Sequence, residues 1–403
     1  MKQNRFIQYT VGVCLTLTFC LVALLGVYDF ILPDRVSYRE GEAAPVFFGL
    51  SCTEAESVAA FADGQTAGMT TTRAELRLLG LPLKQVDLVK CADIRLYPGG
   101  MPFGVKLYTE GVLVVGFGDV DSESGAVNPA YQAGLRVKDV ITHLNGHPLQ
   151  SVDGLTAMIE AGGGAPIAVT YTRGSEVFST TVTPVRSVSE GKYKTGMWVR
   201  DSGAGIGTVT FIDPTTGAFG GLGHGICDVD TGELMPMQRG TVVDVTINGV
   251  VPGAPGAPGE LRGSFLAAKR GALIRNTTCG VFGVFSSLPA APEEPLPIAL
   301  KDEIRAGEAY IWCTLDENGP CRYAVELSSI NKGATGSKCF VVKVTDPALL
   351  EKTGGIVQGM SGSPILQNGR IVGAVTHVLI NQPDTGYGIF IENMLTSMPD
   401  VLG

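Results

Sequence analysis

Residues 359–364 read Gly-Met-Ser-Gly-Ser-Pro, and the chain runs on through Ile365-Leu366, the pair Asn368-Gly369 and the apolar stretch RIVGAVTHVLI (370–380). Glycine on both sides of Ser361 allows a sharp bend that exposes the hydroxyl and leaves room for a carbonyl group. Residues 365–380 have the pattern of a strand, an Asn-Gly turn and a second strand. The serine therefore sits at the mouth of a β structure and lacks the strand-to-helix context of a G-x-S-x-G elbow. A serine hydroxyl is a weak nucleophile without an adjacent base. The rest of the chain must supply a histidine.

There are four histidines. His143 and His147 read as a strand residue and a turn residue. His224 lies in Gly220-Gly221-Leu222-Gly223-His224-Gly225-Ile226, where flanking glycines keep its ring accessible, and it is favoured as the base. His377, inside an apolar strand, reads as a core residue. Ser363 adjoins Pro364 and reads as a strand-entry residue, which leaves Ser361 as the nucleophile. The turn can aim the amides of Gly359 and Ser361 at one point, as an oxyanion hole requires. A third member would be an acid that orients the imidazole. Asp228, Asp230, Asp244, Asp302, Asp316 and Asp346 all lie between the base and the nucleophile. Spacing does not choose among them, and a Ser-His dyad stays open.

The chain has 403 residues, 54 of them Gly and 23 Pro, with 17% charged residues. That length suits two or three domains at roughly 150 residues each. Glycine at about twice its usual share of roughly 7% disfavours long helices and favours short strands with tight turns. No G-X-Y period is present, which excludes collagen. A net charge of −9 argues against nucleic acid as a partner. The run from Phe6 to Val27 carries no charge and is long enough to cross a bilayer as one helix. Lys2 and Arg5 before it predict a cytoplasmic N-terminus and an exported remainder, with an anchor favoured over a cleaved signal.

Seven of the nine cysteines lie beyond that run. An odd number cannot all pair within one chain, although Cys313 and Cys321 flank a turn-like TLDENGP and could pair across two strands. No metal-ligand spacing is present, so neither a metal nor a cofactor is expected. Residues 1–32 are read as a cytoplasmic stub and anchor, and residues 33–100 as a connector. Residues 101–185 form a unit with strands around one helix, GLTAMIEA (154–161), which Asp153 is expected to cap. From 186 to 403 short strands and turns such as Asp213-Pro214 and Asn248-Gly249 predict a β-barrel or double barrel.

The stretch NPAYQAGLRVKDVITHLNGHPL (128–149) resembles the bacterial PDZ pattern, with its Ala-Gly-Leu turn, Asp-Val-Ile strand and Asn-Gly turn. That resemblance implies recognition of an extended peptide as an added strand. It would place a carboxylate-holding loop at Pro102, Phe103, Gly104 and Val105. GMSGSP resembles the nucleophile turn of trypsin-like serine peptidases, with GLGHGI upstream where their base stands. The whole chain is similar to the stage IV sporulation protein B type of serine peptidase: a membrane segment, a PDZ domain, then a trypsin-like domain. The HtrA-type order, peptidase before PDZ, fits less well.

The resemblance implies a mainly β fold, a PDZ domain followed by a trypsin-like β-barrel peptidase domain and preceded by one transmembrane helix. It implies Asp346 as the acid. It further implies a membrane-anchored enzyme exported from the forespore into the space facing the mother cell. There such an enzyme cleaves a membrane regulatory protein, and itself near the N-terminus, so that a late sigma factor is activated. The partners would be a protein substrate with an exposed loop or terminus and the membrane itself. The competing reading is an inactive PDZ-containing adaptor that binds peptide termini; an acyl hydrolase is a weaker third.

Overall fold

The structure is a computed structural model. It describes residues 34–42, 50–54, 68–78, 81–289 and 294–398, together with scattered positions from 12 to 32. Most of the apolar run Phe6–Val27 lies outside the described residues. Among the described residues no helix is long and apolar enough to cross a membrane.

Two six-stranded barrels carry the molecule. In the first, strand Pro102–Phe117 pairs along its first half with Met237–Val251 on one side and Met197–Ile212 on the other. The circuit continues from Met237–Val251 through Glu260–Thr277, Gly280–Phe285 and Ala218–Gly221 back to Met197–Ile212. Every strand of that ring thus has two partners, which removes the exposed edges that invite aggregation. Phe103, Val105, Val209, Phe219, Val281 and Phe285 fill it. The second barrel closes in the order Gly307–Thr314, Pro320–Ser328, Phe340–Val344, Gln382–Phe390, Arg370–Leu379, Pro364–Gln367. Its centre is packed with Ile311, Val325, Phe340, Val342, Ile365, Val375 and Phe390, all at most 1% exposed.

Asn368 and Gly369 both have positive φ, 51° and 72°. They make the tight turn that joins the two strands after Ser361, as the pair's preference for left-handed backbone predicts. Asn145 and Gly146 do the same at 49° and 79°. Asn248-Gly249 does not turn: both residues lie inside strand Met237–Val251, where the register shifts between Ile247 and Gly249.

The PDZ-like unit precedes most of the peptidase in sequence, but the first barrel takes one strand from ahead of it. The unit is inserted between the first two strands of the first barrel. Strands Pro102–Phe117 and Met197–Ile212 are 16 residues each; one half of each belongs to the barrel and the other half to the inserted module. Gly111, at φ +83°, marks the change, and an added Cβ there would stand 2.4 Å from the Ile141 carbonyl oxygen. The module has its own core of Val112, Val114, Ile141, Leu144, Leu155, Ile159, Val169 and Tyr171. Tyr193, Met197 and Val199 pack against that core, so the module extends past residue 185. Helix Val152–Ala161 starts earlier than expected: Asp153 lies inside its first turn, and the cap is Ser151, whose hydroxyl accepts the Gly154 amide at 3.0 Å.

Residues 33–100 are more than a connector. Strands Arg35–Arg39, Leu50–Glu54, Met69–Leu78 and Leu81–Cys91 form a four-stranded sheet, in which the first pairs parallel to the last. Val36, Ala74, Leu76, Val86 and Leu88 give it a core. Arg39 ties it to the turn leading into the second barrel through Glu303 at 2.7 Å.

Candidate active site

His224 and Ser361 approach from different barrels. His224 follows strand Ala218–Gly221 of the first barrel, whereas Ser361 precedes strand Pro364–Gln367 of the second. The turns are joined by backbone and threonine hydrogen bonds. The Thr208 amide donates to the Ser361 carbonyl at 2.9 Å. The Thr208 hydroxyl donates to Gly359 O at 2.8 Å and the Thr210 hydroxyl to Gly362 O at 2.7 Å. Gly362 has φ +95°, and a Cβ on it would lie 2.0 Å from Thr208 O and 2.5 Å from Leu222 N. Leu222 itself has φ +64°, a conformation that costs a branched side chain energy and that recurs at functional sites.

Both turns converge on Thr376 and His377. The Ser361 hydroxyl donates to the Thr376 carbonyl at 2.7 Å. Gly223 lets the His224 turn close on the same residue, since a Cβ there would be 2.8 Å from Thr376 Cγ2. The His224 and His377 rings stand 4.9 Å apart, centre to centre, tilted by 39°. His224 Nδ1 lies 2.9 Å from Gly225 O. A carbonyl only accepts, so Nδ1 carries the proton and Nε2 keeps its lone pair. Burial, partly offset by that carbonyl, holds the His224 pKa below its ordinary value of 6.5. The imidazole is therefore neutral and basic at neutral pH, the state a general base requires. Burial, then the charges of His224 and Lys338, push His377 down to about 4.

Among the turn's amides, Met360, Gly362 and Ser363 donate to Val357, Val375 and Met360. Those of Gly359 and Ser361 make no hydrogen bond among the described residues and are free to donate outward. Ser363 is fully buried, and its hydroxyl donates to Met360 O at 2.6 Å, so it shapes the turn.

Asp346 does not join this group. Its carboxylate accepts the amides of Ala348 at 3.0 Å, Leu349 at 3.2 Å and Ala324 at 3.2 Å, capping helix Pro347–Thr353. It follows strand Phe340–Val344, whereas Ser337, whose carbonyl receives the Thr376 hydroxyl, precedes that strand. Five residues at about 3.3 Å each separate the two ends. The physical reason is local: Asp followed by Pro, with Gly354 in the left-handed conformation at the far end, is a complete helix-capping signal. Replacing Asp346 by Ala is expected to lower stability by about 1 kcal/mol, the usual cost of a lost N-cap. Reactivity of Ser361 should change less than about threefold. A hundredfold loss in a folded Asp346→Ala protein would return it to the site.

The predicted peptide-holding residues are also corrected. Pro102, Phe103, Gly104 and Val105 are barrel strand, Pro102 paired on one edge and the other three on both, with Phe103 and Val105 only 2% exposed. No backbone is left there for a peptide. An open edge lies elsewhere. Over Met197–Val199, strand Met197–Ile212 pairs only with Pro102–Phe117 among the described residues. Across from it stands helix Val152–Ala161. Leu155, Thr156, Ile159, Met197, Trp198 and Val199 line a groove of about 390 Å³ between them. The sequence signal for it is Gly196 (φ +79°) before a short apolar run, facing a helix with Leu155 and Ile159 on one side. Cys313 and Cys321 are register partners on neighbouring strands, and both thiols are free.

A histidine and a serine held at the junction of two six-stranded barrels define a serine peptidase. The model of the family described as SpoIVB peptidase S55 matches residues 191–395, slightly more than half of the chain, and the chain belongs to that family. A search of curated proteins finds no match. Two solved structures are similar to parts of the chain. One is the PDZ domain of an SdrC-like protein from Listeria monocytogenes, with 20% identity and a TM-score of 0.19, covering 22% of this chain and 87% of its own. The other is an inactive serine-to-alanine mutant of Rv3671c from M. tuberculosis, with 13% identity and a TM-score of 0.25, covering 47% of this chain and 78% of its own.

Proposed function

We propose that this serine peptidase cuts a membrane regulatory protein, and its own N-terminal region, in the sporulation signalling that activates a late sigma factor. The observation that supports the chemistry is the contact of His224 Nδ1 with the Gly225 carbonyl at 2.9 Å. The Nδ1–H is held by Gly225, so Nε2 is free to take the Ser361 proton. Ser361 leaves the Thr376 carbonyl by rotation about χ1 and attacks the substrate carbonyl. The oxyanion then forms against the amides of Gly359 and Ser361. His224 returns its proton to the leaving amine and next activates the water that hydrolyses the acyl-enzyme. The Gly225 carbonyl takes the orienting role that an aspartate has in a triad.

The N-terminal apolar run would anchor the enzyme on the outer face of the forespore membrane. The groove beside Met197–Val199 would hold an extended segment of the substrate as an added strand. An adaptor without activity has no requirement for a half-buried neutral imidazole beside a half-buried serine.

One experiment tests the reading as a whole. The full chain is treated with a fluorophosphonate and the adduct located by mass spectrometry, in parallel with cleavage of a candidate regulatory protein. Wild type should be labelled on Ser361 and Ser361→Ala should not. Thr156→Trp, which fills the groove, should slow target cleavage far more than labelling. Labelling that persists in Ser361→Ala would falsify the nucleophile; equal slowing of both readouts by Thr156→Trp would remove the groove from substrate recognition.

A further inference from the structure

His224 opens a hairpin, Ile226 to Met235, that is gripped by two different parts of the molecule. Cys227 bridges Leu234, and the Met235 amide donates to Ile226 O at 3.0 Å. The first barrel holds its base: Asn276 accepts the Ile226 amide at 2.8 Å and donates to the carbonyls of Ile226 and Met235 at 2.9 and 3.1 Å. The inserted module holds its tip. The Asp228 side chain is fully buried. One of its oxygens accepts the amides of Asp230 and Thr231 at 3.1 and 2.9 Å and the Thr231 hydroxyl at 3.0 Å. The other receives the guanidinium of Arg200, which also reaches Asp230 at 2.8 Å. Lys138, from the inserted module, meets Glu233 at 2.6 Å.

Arg200 occupies a particular place. It stands where strand Met197–Ile212 leaves the inserted module for the barrel, directly after the open edge Met197–Val199. Its neighbour Asp201 accepts the Val152 amide at 2.8 Å, at the start of the helix that forms the groove's other wall. Consecutive residues thus tie the groove to its helix on one side and to the His224 hairpin on the other. A buried carboxylate is tolerable only when paired and hydrogen-bonded. Burial opposes the Asp228 charge, but the Thr231 bonds and Arg200 outweigh it and hold the carboxyl below its ordinary value.

We infer that Arg200 is a positioning residue for His224, acting through Asp228, so that the inserted module completes the geometry of the peptidase site. The inference rests on His224 being the base for Ser361. Without Arg200 the buried Asp228 carboxylate has no cation beside it, and the module's hold on the hairpin is reduced to the exposed Lys138–Glu233 pair. A peptide seated in the groove would bear on the same arginine, which gives occupancy a route to the active site.

The test is the rate of Ser361 labelling by a fluorophosphonate on the full chain, measured against probe concentration and well below each variant's melting temperature. Arg200→Ala should lower the maximal rate ten- to a hundredfold without raising the half-saturating concentration. Arg200→Lys should recover much of that loss. The double variant Arg200→Ala with Asp228→Asn should be no slower than the slower single, because both act through one contact. A folded Arg200→Ala protein that labels at the wild-type rate overturns the inference, as do losses that multiply in the double variant. If Arg200→Ala does not fold, Asp228→Asn decides alone: it keeps the side chain's shape, and an undiminished maximal rate overturns the inference. Failure of the underlying reading looks different, since His224→Ala would then label as fast as wild type, and the inference would fall with it.

Discussion

His224→Ala is expected to abolish peptidase activity, lowering kcat by roughly 10⁴-fold or more, with folding intact. In a nucleophile-base pair the members act as one unit. Removing either leaves only the residual acceleration from oxyanion donors and substrate binding, roughly 10³- to 10⁴-fold over water. Ser361→Ala should therefore cost about as much, and the double variant little more than either. KM should move little, because neither side chain makes the extended contacts that bind substrate. The pH profile gives a second reading. Burial places the His224 pKa below 6.5, so its neutral, active form persists into mildly acidic solution. The acid limb of kcat/KM should have its midpoint below pH 6.5; a midpoint above 7 would mean a carboxylate partner that the structure does not show. His377 is not an equal alternative, because at a pKa of about 4 it is too weak a base to compete.

Gly362→Ala should be one of the most damaging methyl additions in the peptidase barrels. Its Cβ would stand 2.0 Å from Thr208 O and 2.5 Å from Leu222 N, both backbone atoms that cannot swing aside. The backbone at φ +95° adds its own penalty for any side chain. Together these should cost about 3 kcal/mol or more. For a unit of about two hundred residues that is a fall of roughly 10 °C in melting temperature. The protein has one escape, which is to separate the Ser361 turn from the first barrel and lose the Thr208 and Thr210 hydrogen bonds. Either route inactivates. Gly369→Ala is a useful comparison, since it shares positive φ (+72°) but meets nothing within 4 Å. It should be milder in melting temperature and retain activity. Equal effects of the two would show that the barrel contact contributes nothing.

The features behind these effects differ in how plainly the sequence shows them. The glycine turns around His224 and Ser361 are readable as turns because glycine placement is a local signal, and Gly223, Gly359 and Gly362 do carry positive φ. The Asn-Gly turns at 145–146 and 368–369 are readable for the same reason, whereas the helix cap expected at Asp153 falls at Ser151. Pro102–Val105 is not readable as barrel strand because a strand's partners are non-local: nothing in those four residues announces that Ile206 and Val243 flank Gly104 on either side. The same blindness hides the insertion, since the two strands that join the module to the barrel lie about ninety residues apart. Asp346 is the opposite case. A full capping signal is present, but a resemblance places the residue in a catalytic role that its own backbone neighbours have already claimed.

The position of the inserted module also bears on how the chain folds. Joining strand Pro102–Phe117 to Met197–Ile212 directly requires closing a loop of about eighty disordered residues, and closure entropy grows with loop length. The module has its own core and its two ends emerge side by side. Once folded, it acts as the bend of an oversized hairpin and delivers the barrel's first two strands already in register. Late, long-range strand pairing is the slow and aggregation-prone part of building a β-barrel. Here a domain substitutes for a two-residue turn, and barrel assembly should slow in step with any mutation that delays the folding of that domain.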